Sequence, residues 1–180
     1  MKLSPILVKL ADAQSAFLSA ADRIPTEQWN KKPSAEQWSA GEIVAHLITV
    51  ERAIVSTADQ MAEKAPRSIP FWKRVHVLLR LVELRWTRMK TPIASDPALT
   101  GSKEEMLGEL RLTRERTLAF LAETQNRDLS GYGWRHVFLG RLNMYEWFEL
   151  IAVHQLRHTK QMKEVEGAVL LPKVVENSQN

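Results

Sequence analysis

The chain of 180 residues is long enough for one well-filled domain and too short for two. It is 44% hydrophobic, as globular proteins are, and it has no cysteine, which excludes disulfides, thiolate zinc sites and a cysteine nucleophile. The net charge of +4 and pI near 9.5 come largely from one stretch, Arg67 to Lys90, where seven Lys/Arg accompany a single acid, Glu83. That bias can attract acidic partners, but a solvated helix face accounts for it more simply.

In chain order, "MKLSPILVKLADAQ" reads as the start of a first helix over about residues 4–24, and not as a signal peptide, because no small-residue cleavage site follows a long apolar core. Pro5 stands in its first turn, where a missing N–H costs nothing, and Ile6, Leu10, Phe17 and Leu18 form its inner face. "PTEQWNKKPSAEQ" then breaks the helical period. A second helix opens at "WSAGE", where Ser39 and Glu42 have capping-box spacing. Its inward stripe is Ile43, His46, Leu47, Val50, Ile54, Thr57 and Met61. Past the linker "APRSIP", residues 71–89 are expected to form a further helix with Trp72, Val75, Leu79, Val82, Trp86 and Met89 on one face.

"TPIASDPALTG" ends that segment, and Ser102 with Glu105 marks the cap of the next helix, which turns Met106, Leu110, Thr113, Thr117, Leu118 and Leu121 inward. The run "QNRDLSGYGWRHVFLGRLN" is rich in glycine and aromatics, long for a bundle connection, and a candidate functional loop. Asn143 and Glu146 cap a last helix that is expected to stop at Gly167. Residues 1–167 thus form a single all-α bundle domain, followed by a tail at 168–180. No apolar run is long and charge-free enough to span a membrane. The absence of cysteine favours the cytoplasm and is compatible with secretion.

The last helix carries Trp147, Ile151, His154, His158, Gln161 and Val165 on one stripe. At ~100° per residue, a four-residue step leaves the two imidazoles about 40° apart and one turn along, able to aim at a common point. Burying two imidazoles together costs roughly 1–3 kcal/mol for each unsatisfied group, and a divalent cation satisfies several nitrogens at once. In a helix bundle the remaining ligands project from a facing helix, and His46 interrupts the apolar stripe of the second helix. Three neutral imidazoles with an open position describe a catalytic zinc or nickel site better than a structural one. "HQLRH" is not the zincin "HExxH", because Gln155 replaces the general-base glutamate.

Gln161 either supports a ligand from behind or bridges core and solvent; Glu42 is read as a cap in preference to an orienter of His46. His136 either covers the site or caps a turn, and His76 reads as surface.

With these residues in hand, the chain resembles the DinB-like (DinB/YfiT-like) superfamily of metal-dependent enzymes. "WSAGEIVAHL" at 38–47 and "HVFLGRLNMYEWFELIAVHQLRHTKQM" at 136–162 carry the likeness, although Val137 stands where proline commonly follows the loop histidine. The resemblance implies an up-down-down-up four-helix bundle with an extra helix between the second and third, a metal on His46, His154 and His158, and often a homodimer. It further implies thiol-dependent chemistry on a small molecule, such as S-transfer to an electrophile with a low-molecular-weight thiol as co-substrate. A metal-dependent hydrolase is the close variant. A non-enzymatic binding module using the basic segment 67–90 is the rival from another class. Helical period turns Trp72 and Trp86 inward, which removes them as stacking platforms and disfavours nucleic acid.

Overall fold

The computed structural model describes residues 3–67 and 100–170. The basic helix expected over 71–89, with His76, and the end of the chain after Leu170 lie outside the described residues. Four helices make the frame: α1 (Leu3–Asp22), α2 (Ala40–Ala62), α3 (Lys103–Glu123) and α4 (Met144–Leu170). α1 packs mainly on α4 and α2 mainly on α3.

Side-chain bonds give the helix directions. Lys9 pairs with Glu149 near the starts of α1 and α4, and Arg23 reaches Glu166 near their ends at 2.8 Å, so these two helices run parallel. Arg127, just past α3, donates to the Ala62 carbonyl that ends α2, so α2 and α3 are also parallel. Lys103 at the start of α3 donates to the carbonyls of Asp22 and Ile24 at the end of α1, at 2.9 and 2.8 Å, which sets the two pairs antiparallel. The bundle is up-down-down-up. In this parallel pair the end of α2 and the start of α3 lie at opposite ends of the bundle.

Each helix begins where its sequence satisfies the free N–H groups. Ser39 and Glu42 form a reciprocal capping box on α2, Ser102 and Glu105 form one on α3, and Asn143 and Glu146 exchange the same two bonds at α4. α4 runs through Gly167 to Leu170, three residues beyond the expected stop. Val165 and Val169 pack on the core at that end, which outweighs the weak helix propensity of one glycine.

The stretch expected as an irregular loop holds a β-hairpin, β1 (Gly133–His136) with β2 (Gly140–Asn143), registered Gly133 to Asn143 and His136 to Gly140. Its turn ends on Gly140 at φ 76°, a left-handed position that suits glycine. The hairpin is fastened to α4 by Trp134 stacked on Trp147, centroids 4.7 Å apart, and by Met144 N–H donating to Tyr132 at 2.8 Å. Before it, Gly131 lies so close to the end of the α2 segment that a Cβ there would come 2.9 Å from Pro66. Leu118, expected inside, is 38% exposed.

The apolar interior falls into two clusters. One gathers Leu10, Ile54, Phe120, Phe148 and Ile151; the other gathers Phe17, Ile43, Ile48, Leu110 and Met162. Along α2, α3 and α4 the residues between these clusters include buried polar side chains: Glu51, Thr113, Arg114, Thr117, Gln155 and His158. A polar layer therefore crosses the middle of the bundle. Replacing Ser39 by Ala removes the cap of the helix that carries His46, and is expected to lower stability by about 1 kcal/mol, read as a shift in the denaturant midpoint.

Candidate metal centre

His46 lies on α2, two turns in from its capping box, and is 2% exposed. His154 and His158 lie one turn apart on α4; His158 is buried and His154 half-buried. The three rings meet at the polar layer with their Nε2 atoms converging. His154 Nε2 is 3.3 Å from His46 Nε2 and 3.1 Å from His158 Nε2. The ligating atoms of all three lie within 4.8 Å of one another, and this is the group of that kind found among the described residues.

These distances fit a shared cation. Bonds of about 2.0–2.1 Å to nitrogen at tetrahedral angles place the nitrogens roughly 3.3–3.4 Å apart, and at right angles roughly 2.9 Å apart. The two spacings from His154 Nε2 fall between these limits. Hydrogen bonding alone leaves the cluster incomplete, because one Nε2–H on His154 can be donated to only one of its two neighbours.

Protonation favours the same use. Burial pushes His46 down to about 4, and burial above all, with the repulsion that a proton on His158 or His46 would add and the charge of Arg157, holds His154 well below the usual imidazole range. Both rings are neutral at neutral pH and offer lone pairs. His158 is oriented from behind: its Nδ1 is 2.8 Å from Gln161 Oε1, and since an amide oxygen only accepts, Nδ1 carries a proton, which in the neutral ring leaves the lone pair on Nε2. His46 Nδ1, by contrast, is buried without a partner.

The other candidates sort plainly. Glu42 completes the cap with Ser39 and pairs with Lys32 at 2.7 Å, so it does not orient His46. His136 closes the hairpin turn, its Nδ1 accepting from the N–H groups of Phe138 and Leu139 at 3.1 Å each. Gln155 points away from the cluster and accepts from Arg114 at 2.8 Å.

Two contributions were not read from the sequence. Trp38, immediately before the cap of α2, lies parallel to the His158 ring within 4°, centroids 6.2 Å apart, and tilted against His46 at 5.0 Å. It walls one side of the cluster. Arg114 and Glu51, both buried, form the ion pair of the polar layer, at 2.7 Å. A tryptophan directly ahead of a capping box that leads to a buried histidine is the signal that marks Trp38.

The arrangement is a buried tri-histidine cluster able to coordinate a metal ion. No solved structure matches the chain. The chain is 31% identical over 146 residues to "Uncharacterized protein YuaE" of Bacillus subtilis (strain 168), an alignment covering 79% of this chain and 86% of that protein. The family model of the DinB superfamily matches residues 9–162, which takes in all three histidines, all of α2 and α3 and most of α1 and α4. With that match spanning most of its length, the chain belongs to the DinB superfamily.

Proposed function

We propose that the protein is a metal-dependent enzyme in which His46, His154 and His158 hold one divalent cation, zinc or nickel, through Nε2, with Gln161 fixing His158 from behind. The observation that carries this reading is the convergence of three imidazole nitrogens in a buried layer. A cation bound there supplies Lewis acidity and lowers the pKa of a thiol or water at its open position. The chain's own residues do the rest. Desolvation keeps His46 and His154 in the ligating form, Gln161 selects the tautomer of His158, and the Trp38 ring shields one flank from water.

The reaction that suits the site best is thiol-dependent transfer to a small electrophile, with a low-molecular-weight thiol as co-substrate, in a cytoplasmic homodimer. No carboxylate belongs to the clustered group among the described residues. A divalent cation held by three neutral ligands is best balanced by an anionic fourth ligand such as a thiolate. Hydrolysis by bound hydroxide is the rival within the same site. The locked position of Gln155 against Arg114 weighs against a zincin-like version, because the place of the general base faces another helix.

Elemental analysis of tag-free protein is expected to give about one metal per chain, lost in His154→Ala; metal-free protein after reconstitution with zinc, nickel and manganese would defeat the reading. Loaded protein is expected to consume a thiol in the presence of an electrophile, whereas turnover of an activated ester without thiol would favour the hydrolase.

The apo protein carries a pH signature with a definite sign. Between about 6.5 and about 4 the unfolded chain takes up a proton on His46 and the folded chain does not, so stability falls as pH drops across that window. The loss from this ring is on the order of 3 kcal/mol, to be read from denaturant midpoints of the metal-free protein.

A further inference from the structure

Arg114 lies on α3, a helix that supplies none of the three histidines, yet it is 2% exposed and all four helices meet at its guanidinium. It donates to the Leu10 carbonyl of α1 at 2.6 Å, to both carboxylate oxygens of Glu51 on α2 at 2.7 and 3.1 Å, and to Gln155 Oε1 on α4 at 2.8 Å. Thr117 of α3 completes the group by donating to Glu51 at 2.7 Å. Two of these partners adjoin the cluster. Glu51 follows His46 by five residues on α2, and Gln155 directly follows His154 on α4. Glu51, Gln155 and His154 also line one small cleft, with Leu47, Val50 and Ile151.

Stability alone does not call for this group. A buried ion pair replaced by apolar side chains of similar volume commonly leaves a protein as stable or more so. What the pair supplies is direction. A guanidinium presents its donors in a rigid plane and accepts partners only at fixed angles, while alkyl faces above and below tolerate sliding. A metal centre demands the opposite of tolerance, with ligand distances held within about 0.2 Å.

We infer that Arg114 is a positioning residue: through Glu51 and Gln155 it sets the approach of α2 to α4 at which His46 Nε2 meets His154 and His158. The consequence for metal affinity rests on the metal-dependent reading above; the spacing itself does not. Gln155 also shows the balance of roles, since its Nε2 is buried without a partner and its whole contribution is the bond from Arg114.

The test uses two variants of the full chain, Gln155→Met, which detaches α4 and leaves the ion pair intact, and the double change Glu51→Leu with Arg114→Met. Three quantities are compared with the unaltered protein: the unfolding midpoint of the metal-free form, zinc affinity by competition with a chromophoric chelator, and the NOE between the imidazole protons of His46 and His154 in metal-free protein. Gln155→Met is expected to keep or raise the midpoint, weaken zinc binding roughly ten- to a hundred-fold, and diminish the ring-to-ring NOE. A purely structural role would lower the midpoint and leave the NOE of the folded fraction unchanged. An unchanged NOE in folded variants overturns the inference whatever zinc does. If the unaltered chain binds no zinc, the metal reading fails and the NOE alone decides the positioning. If the double variant does not fold, Gln155→Met decides it.

Discussion

A layer of polar side chains crosses the middle of this bundle, and everything else is arranged to make that layer tolerable. Glu51, Arg114, Thr117 and Gln155 satisfy most of their polar atoms among themselves, so half of the layer closes without solvent. The other half is the three imidazoles, which cannot close in the same way because three nitrogens converge with too few protons between them. A hydrophobic core interrupted at this level is costly unless both halves are completed. The two apolar clusters to either side provide the low dielectric that makes completion matter.

That same low dielectric decides the chemistry of the rings. Water around an imidazole stabilises its cation, and removing the water favours the neutral base. His46 and His154 are therefore kept as lone-pair donors by their surroundings, with no acidic residue needed to assist. His158 is treated differently, its far nitrogen tied to Gln161 one turn along the same helix. Trp38 adds an apolar flank from the segment before α2. Burial, tautomer and shielding come from three separate parts of the chain, and all of them act on one point.

Much of this was legible in the sequence because helices announce themselves through period and caps. Ser39 with Glu42, Ser102 with Glu105 and Asn143 with Glu146 each place a helix start to the residue, and a histidine inside an apolar stripe marks the interior cluster. The hairpin was hidden because its strands are four residues each and Trp134, Arg135 and His136 show no clean alternation. Leu118 sits at the edge of the inward arc of α3, where period alone does not separate buried from exposed. Arg114 and Glu51 were invisible for a deeper reason. A charged residue reads as solvent-facing unless its partner is known, and the partner here is 63 positions away. Gln155 carried only a negative message in the sequence, the absence of a zincin base from "HQLRH", and its bond to Arg114 could not be read there.

The pairing of the first helix with the last has a consequence for how the molecule is made. α1 leaves the ribosome long before α4 exists, and most of its buried face can be covered only by α4. Closing that contact brings together segments at nearly the greatest separation the chain allows, a topology that slows the search for the native state. His154 and His158 travel on α4, so the imidazole trio comes into being only as the bundle shuts. A nascent chain therefore has no preformed imidazole trio, and any cation taken up there would wait until translation of α4 is finished.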